Sequence, residues 1–207
     1  MHARLVRVKG SPEGTEEGRV IFEREAVPVM RAQPGFVGVV VIADHDTGAA
    51  AVATYWESEE TLDRSAGALA DLRDRMTAVQ TLEPLSLEQY EVILMERRGA
   101  PAPGNAVRLS RATGNADAAG EALAQLREGV ALASTLAGFR AFVAGVDRST
   151  GRYFVATGWE TASDREAAEE VTAEQRARLA ERIGATALEV ERYEVLVAAM
   201  PAKVTGS

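Results

Sequence analysis

Hydrophobic and polar positions follow one order that runs twice along the chain. Ala3–Lys9 alternates around Leu5, Val6 and Val8, which predicts a strand. Ser11–Thr15 is a turn. Thr15 can then cap a helix with Glu16 and Glu17 in its first turn, where the helix dipole favours acids. Val20, Ile21, Arg24 and Val27 give that helix a rough stripe, and Pro28, which has no N–H and crowds the preceding turn, should end or kink it. Phe36–Ala43 is a valine-rich apolar run suited to a buried strand. Asp44–Gly48 is a hairpin turn and Ala49–Glu57 the return strand. Ser58 can cap a second helix, Thr61–Gln80, whose Leu62, Ala66, Leu69 and Met76 recur at helical spacing, and Leu87–Met95 predicts a fourth strand.

The second half repeats the order. Strands are expected at Ala106–Ala112, Gly138–Val146, Arg152–Glu160 and Leu188–Ala198, and helices at Asp117–Ser134 and Ser163–Gly184. The repetition is also literal. Slid by 103 residues, Gly35–Ser58 matches Gly138–Thr161 at eleven of 24 positions, and the two tryptophans, Trp56 and Trp159, coincide. Tyr90-Glu91-Val92 recurs at the same offset as Tyr193-Glu194-Val195. A period of this size is that of a duplicated domain rather than a solenoid. The expected organisation is a first repeat at 1–98, a Pro/Gly-punctuated linker at 99–105, a second repeat at 106–199 and a loose tail at 200–207. The strand-helix-strand-strand-helix-strand order is the ferredoxin-like split fold, with helices on one sheet face only. The fold class expected is therefore α+β: two ferredoxin-like βαββαβ repeats packed sheet to sheet as a pseudo-dimeric α+β barrel.

Composition narrows the classes. The chain has 207 residues and no cysteine, which excludes disulfides and thiolate chemistry. The net charge is −8, and neither half carries the positive field that a phosphate backbone requires, so no nucleic-acid partner is expected. No stretch approaches the ~20 apolar residues of a membrane span, and no signal-like segment opens the chain. A cytoplasmic protein without a membrane partner is expected, either a monomeric pseudo-dimer or a homo-oligomer.

Pro34-Gly35-Phe36, the valine-rich strand and Tyr55-Trp56-Glu57-Ser58-Glu59-Glu60 resemble the antibiotic biosynthesis monooxygenase family, and Ala137-Gly138-Phe139 with Gly158-Trp159-Glu160-Thr161 repeats the signature. The resemblance covers nearly the whole chain, once per half. Members are usually single domains that dimerise into an α+β barrel, so the resemblance implies a fused dimer. One branch of the family oxidises aromatic substrates with molecular oxygen and no cofactor, the substrate supplying the electron-rich carbanion. Another branch degrades heme through an Asn on the first strand, the Trp ending the third, and a His on the second helix. Here Arg7 stands about where the Asn belongs, and no histidine occurs after position 45, which argues against heme. The resemblance thus implies a cofactor-independent monooxygenase of an aromatic or quinone-like small molecule. The alternative is a catalytically silent small-molecule-binding or structural barrel.

The candidate substrate-binding residues are Trp56, Arg7, Thr54, Trp159 and Tyr90. Val52, Thr54 and Trp56 share one strand face, and by resemblance that face lies under the helices, where the ligand pocket is. Trp56 and Trp159 stack on a planar substrate there, or simply fill the core. Arg7 holds a phenolate or carboxylate, or lies at an exposed edge; Arg108 and Arg111 are weaker versions of the same idea. Tyr90, with Tyr193 its repeat, donates to a bound oxygen or packs in the core. Tyr55 should point to the opposite face. Asp44, His45 and Asp46 share one tight turn that cannot converge three ligands on an ion, and the second repeat has Arg148 and Ser149 there, so no metal site is expected; the resemblance to the oxygen-using branch implies no cofactor. The second helix of the first half has the stronger apolar stripe, which favours that half for a pocket.

Overall fold

The computed structural model describes residues 1–79 and 81–200. Gln80, the last residue of the expected second helix, and most of the expected tail lie outside them. Two compact units are present: Met1–Gln89 with the segment that starts at Tyr193, and Tyr90–Arg192.

The first unit opens with β1 (His2–Lys9), then α1 (Thr15–Ile21), a π-helical turn (Phe22–Ala26) and α2 (Val27–Arg31). Next come the hairpin β2 (Phe36–Ala43) and β3 (Ala49–Trp56), then α3 (Glu59–Ala68), α4 (Ala70–Val79) and β4 (Glu83–Arg97), which leaves the unit after Gln89. The second unit continues with β5 (Ala106–Thr113), α5 (Ala119–Ala133), β6 (Phe139–Asp147), β7 (Arg152–Trp159), α6 (Ala162–Val171), α7 (Ala173–Arg182) and β8 (Ala187–Ala199). From Tyr193 onward, β8 belongs to the first unit. Each repeat therefore has the ferredoxin-like α+β order that its hydrophobic pattern predicts.

In the first unit, β3 lies between β1 and β2, all antiparallel, and the far edge of β2 pairs with Glu194–Ala199 of β8. In the second unit, β7 lies between β5 and β6, and the far edge of β6 pairs with Glu91–Arg97 of β4. The last strand of each repeat thus completes the sheet of the unit built mainly from the other repeat. The β2–β3 and β6–β7 ladders shift register at the same place, after Phe36 and after Phe139.

Three local features differ from the sequence pattern. Pro28 neither ends nor breaks its helix. The wider π-turn precedes it, closed by the Val27 N–H on the Phe22 carbonyl, and helical geometry continues to Arg31. The second helix of each repeat is two helices, broken at Leu69 and at Thr172. At the second break, the Thr172 hydroxyl bonds the Ala168 carbonyl at 2.7 Å, a side-chain competitor that bends helices. The fourth strands are also longer than their apolar runs. The predicted cap is present: Ser58 accepts from the Thr61 N–H at 3.2 Å, and Thr161 does the same for Asp164 at 3.1 Å.

The β2–β3 turn is fixed by Gly48. Its φ is +72°, its N–H reaches the Asp44 carbonyl at 2.9 Å, and its carbonyl accepts from the Gly10 N–H at 2.9 Å. A Cβ there would lie 2.1 Å from the Gly10 carbonyl oxygen, so only glycine fits.

Candidate functional site

Each unit holds a large cavity between the helix-facing side of its sheet and the helices that cover it. The cavity of the first unit measures about 500 Å³. Its floor is Arg4, Val6 and Val8 of β1, Val41 and Ala43 of β2, and Ala50, Val52 and Thr54 of β3. Phe22, Met30, Leu72 and Met76 form its cover. The cavity of the second unit measures about 370 Å³, with Arg108, Ser110, Phe142, Val155, Thr157 and Trp159 on the sheet side and Leu126, Arg165, Glu169, Arg176 and Leu179 among its helical walls.

On β1, strand parity decides which residues reach the first cavity; in the second, Arg111 joins Arg108 and Ser110 in the lining. Arg4, Val6 and Val8 line the first cavity; Arg7 lies on the other face of β1, beside Ala51 in the ladder. Arg4 is only 4% exposed. It donates to Ser65 Oγ at 3.0 Å and to the Leu62 carbonyl at 2.7 Å. Burial, and next the charge of Arg73, push the Arg4 guanidinium below its usual pKa.

Trp56 is 0% exposed and sits in the apolar cluster with Val39, Leu62 and Leu72 rather than on the cavity wall. Its Nε1 donates to Thr54 Oγ1 at 3.0 Å, and its ring meets Phe36 edge-on at 5.4 Å. Thr54 itself lines the cavity. In the second unit Trp159 does line the cavity, while keeping the equivalent bond to Thr157 at 3.1 Å and the edge contact with Phe139 at 5.6 Å. Tyr90 is 2% exposed and packs edge-on at 4.8 Å against Phe154, a lining residue of the second cavity, without lining the cavity itself. The structure therefore brings Thr54 to one cavity and Trp159 to the other, with Arg7, Trp56 and Tyr90 outside both linings.

The strand register also exposes a correspondence that a constant offset conceals. His2 pairs with Trp56, and Ala106 with Trp159, so Arg4 faces Thr54 as Arg108 faces Thr157. Along the first strands the repeat offset is therefore 104, and Arg4-Leu5-Val6-Arg7 recurs as Arg108-Leu109-Ser110-Arg111. The π-turn in the first repeat absorbs the additional residue, since each π-turn encloses one more residue than an α-turn. Arg73 of the first lining recurs as Arg176 of the second, at the offset of 103. Each cavity thus has an apolar body with an Arg–Thr pair from the sheet and an arginine from the covering helix. The Arg-Leu-x-Arg recurrence was the available sequence signal for Arg4 and Arg108.

The second cavity is the more charged. Arg108 and Arg165 are 8% and 9% exposed. Their Nε atoms lie 3.9 and 3.8 Å from Glu169 Oε1, whereas Arg192 grips both Glu169 oxygens at 3.0 and 2.5 Å. Arg176 donates to Thr172 Oγ1 and, at 2.7 Å, to the Glu169 carbonyl. Burial and the neighbouring Arg176 and Arg192 charges, opposed by Glu169, lower Arg108 to about 10. Burial would raise the Glu169 pKa, but the bond from Arg192 and the charges of Arg192, Arg108 and Arg165 hold it below its usual value. Glu169 is therefore an engaged carboxylate and a poor base. No group of three His, Cys, Asp or Glu side chains converges as a metal site among the described residues. Asp44 of the suspected turn accepts from the Asp46 N–H at 2.9 Å and the Thr47 hydroxyl at 2.6 Å. No helix of the described residues is long and apolar enough to cross a membrane.

No family model matches the sequence. The chain is 25% identical over 200 residues to the uncharacterized protein Rv2558 of Mycobacterium tuberculosis, covering 96% of this chain and 84% of that protein. Among solved structures, an anthrone oxidase-like protein has a TM-score of 0.67 at 20% identity, with 96% of this chain and 92% of that one covered. An uncharacterized ferredoxin-fold protein related to antibiotic biosynthesis monooxygenases, from Listeria monocytogenes, has a TM-score of 0.54 at 7% identity, with 93% and 94% covered. The chain shares its ferredoxin-like α+β fold with these two solved structures.

Proposed function

We propose that the protein binds a planar, mostly apolar small molecule under its helices and oxygenates it with molecular oxygen, without a cofactor. The observation that carries this reading is the recurrent construction of the two cavities. Each is several hundred Å³, largely apolar, and furnished with a sheet arginine beside a threonine, the dimensions and chemistry of small-molecule sites. The guanidinium stabilises negative charge as an acidic C–H or O–H of the substrate ionises, and the apolar walls exclude water. The likeness to an anthrone oxidase-like protein supports the reaction class, and makes anthrone a suitable probe. With anthrone the balance is one O₂ consumed, the ring methylene converted to a carbonyl with one oxygen atom, and the other oxygen released as water. The substrate supplies every electron.

The test is dissolved-oxygen uptake with anthrone, with anthraquinone followed by its absorbance. Stoichiometric uptake above the uncatalysed rate supports oxygenation. A second reading, binding without turnover, is favoured by the engagement of Glu169 with Arg192, which leaves no free carboxylate base among the described lining residues of the second cavity. It predicts saturable quenching of tryptophan emission by anthraquinone with no oxygen uptake. Absence of both signals would overturn the small-molecule reading altogether.

A further inference from the structure

The lining of the second cavity runs against the charge of the whole chain. The protein carries a net −8, yet Arg108, Arg165 and Arg176 line this cavity with Arg192 beside it, and among the described residues their facing carboxylates are Glu169 and Glu166, while Arg111 of the same lining pairs with Glu189 and Glu191. Glu169 is gripped on both oxygens by Arg192. Glu166 approaches Arg165 at 3.4 Å but is itself 67% exposed and screened by water. The Nε atoms of Arg108 and Arg165 and the Oγ of Ser110 are buried and have no hydrogen-bond partner among the described residues. All three residues line the same cavity.

The first unit shows how the equivalent arginine is satisfied by the protein itself. Arg4, at the strand position of Arg108, gives its donors to Ser65 Oγ and the Leu62 carbonyl. At the offset of 103 the counterpart of Ser65 is Ala168 and that of Leu62 is Arg165. The second repeat has thus removed the hydroxyl acceptor and set a second guanidinium beside the first. Glu169 Oε1 lies 3.9 and 3.8 Å from the Nε atoms of Arg108 and Arg165, an ion pair but beyond hydrogen-bond reach; buried donors left unmade are unfavourable by themselves, and such arrangements mark sites that a ligand completes.

We infer that the second cavity is a carboxylate site: it takes an apolar monocarboxylic acid as its anion, headed by Arg108, Arg165 and Ser110, with the hydrocarbon body against Trp159 and Phe142. The inference rests on the small-molecule reading above and specifies the ligand class for one cavity. Arg108 on β5 and Arg165 on α6 come within 4 Å of one common oxygen, Glu169 Oε1, so their donors converge from two elements on one small region. A planar carboxylate matches the guanidinium fork. Taking an ion out of water costs roughly the square of its charge, whereas its attraction to the arginines grows only linearly, so a largely apolar cavity favours a monoanionic carboxylate over a dianionic phosphate monoester. Burial and neighbouring positive charge already depress Arg108 and Arg176, and an anion there relieves that depression.

Isothermal titration of the full chain with 2-naphthoate, its neutral isostere 2-naphthamide, and 2-naphthyl phosphate tests this. Naphthoate should bind at least tenfold more tightly than naphthamide and more tightly than the phosphate. Arg108→Met should lower the affinity for naphthoate at least tenfold and abolish its preference over naphthamide, and retained binding of naphthamide shows that the cavity is intact. Should Arg108→Met lose naphthamide as well, Arg176→Gln decides, since it removes one charge of the cluster without touching the strand; a loss of at least threefold in the preference for the acid is expected. Equal binding of acid and amide by the wild type overturns the carboxylate site and leaves the small-molecule reading standing. Tighter binding of the phosphate overturns the ligand class. A preference for the acid that survives both substitutions overturns the location. Failure of every naphthyl compound to bind removes the underlying reading together with the inference.

Discussion

Gly48→Ala separates the cost of a left-handed backbone from that of a steric approach. At φ +72° an alanine loses roughly 1–2 kcal/mol relative to its preferred region. About 0.4–1 kcal/mol returns through the stiffer unfolded chain, leaving a net of about 1 kcal/mol. The second contribution is specific to this turn. The new methyl would stand 2.1 Å from the Gly10 carbonyl oxygen, which belongs to backbone and cannot rotate away. The turn must lift, and the Gly10 N–H to Gly48 carbonyl bond of 2.9 Å is lost, at about 1 kcal/mol. Displaced packing along the cavity wall, where Gly10, Gly14 and Gly48 all lie, adds about another 1 kcal/mol, in line with strain elsewhere in cores. The total is about 3 kcal/mol. Gly184→Ala is the control: φ is +60° and no atom lies within 4 Å of its Cβ, so only the first contribution applies, about 1 kcal/mol. Urea denaturation followed by far-ultraviolet circular dichroism, with unchanged m, measures both. Equal losses in the two variants would refute the close-approach argument, since the backbone conformation is common to both.

Two further outcomes follow from the charged groups. Glu169→Gln should cost about 2–3 kcal/mol at pH 7, because Arg192 loses its bidentate partner and Arg108 and Arg165 their nearest anion. The folded pKa of Glu169 lies below the unfolded one, so its contribution is present above about pH 4.3 and is lost as pH falls through the folded value; urea titrations from pH 7 to 3 should show the gap between wild type and variant closing, and a gap constant with pH would contradict the assignment. Arg4→Met should leave stability within about 1 kcal/mol of the wild type. It removes a buried charge, and the Leu62 carbonyl keeps the Ser65 hydroxyl as donor at 2.6 Å. Thermal denaturation showing a loss above about 3 kcal/mol would mean that the guanidinium itself supports α3.

The local elements were legible because their signals are local. The turn glycines, the Ser58 cap and the alternating runs name strands and helices without reference to the rest of the chain. The partner of a strand is not local: nothing in Glu91–Arg97 or Glu194–Ala199 states which edge it joins, and both join the unit built mainly from the other repeat. The face of β1 was also undetermined, since Ala3, Leu5 and Arg7 on one side and Arg4, Val6 and Val8 on the other each mix apolar residues with an arginine. An offset held at 103 aligned Arg7 with Ser110 and concealed the Arg4–Arg108 match that the π-turn displaces by one residue. Trp56 and Trp159 share a motif and a hydrogen bond, yet only Trp159 reaches a cavity wall. The difference lies on the helix that follows each Trp: Leu62 and Leu69 beside the first correspond to Arg165 and Thr172 in the second. The unlike second helices did register in the sequence, but as a weaker stripe, and the positive cluster that replaces apolar packing there required coordinates to see.

The exchange of last strands between the two repeats bears on how such a gene can change. Separate half-length chains that traded these strands would have to remain self-complementary, because every copy would be both donor and acceptor. Joined through residues 99–105, each half meets one fixed partner at the high effective concentration of a tether. A substitution then needs to suit only that partner. Divergence such as Ser65 against Ala168, or Leu62 against Arg165, is open to the fused chain, whereas in a symmetric ancestor it would have altered both cavities at once.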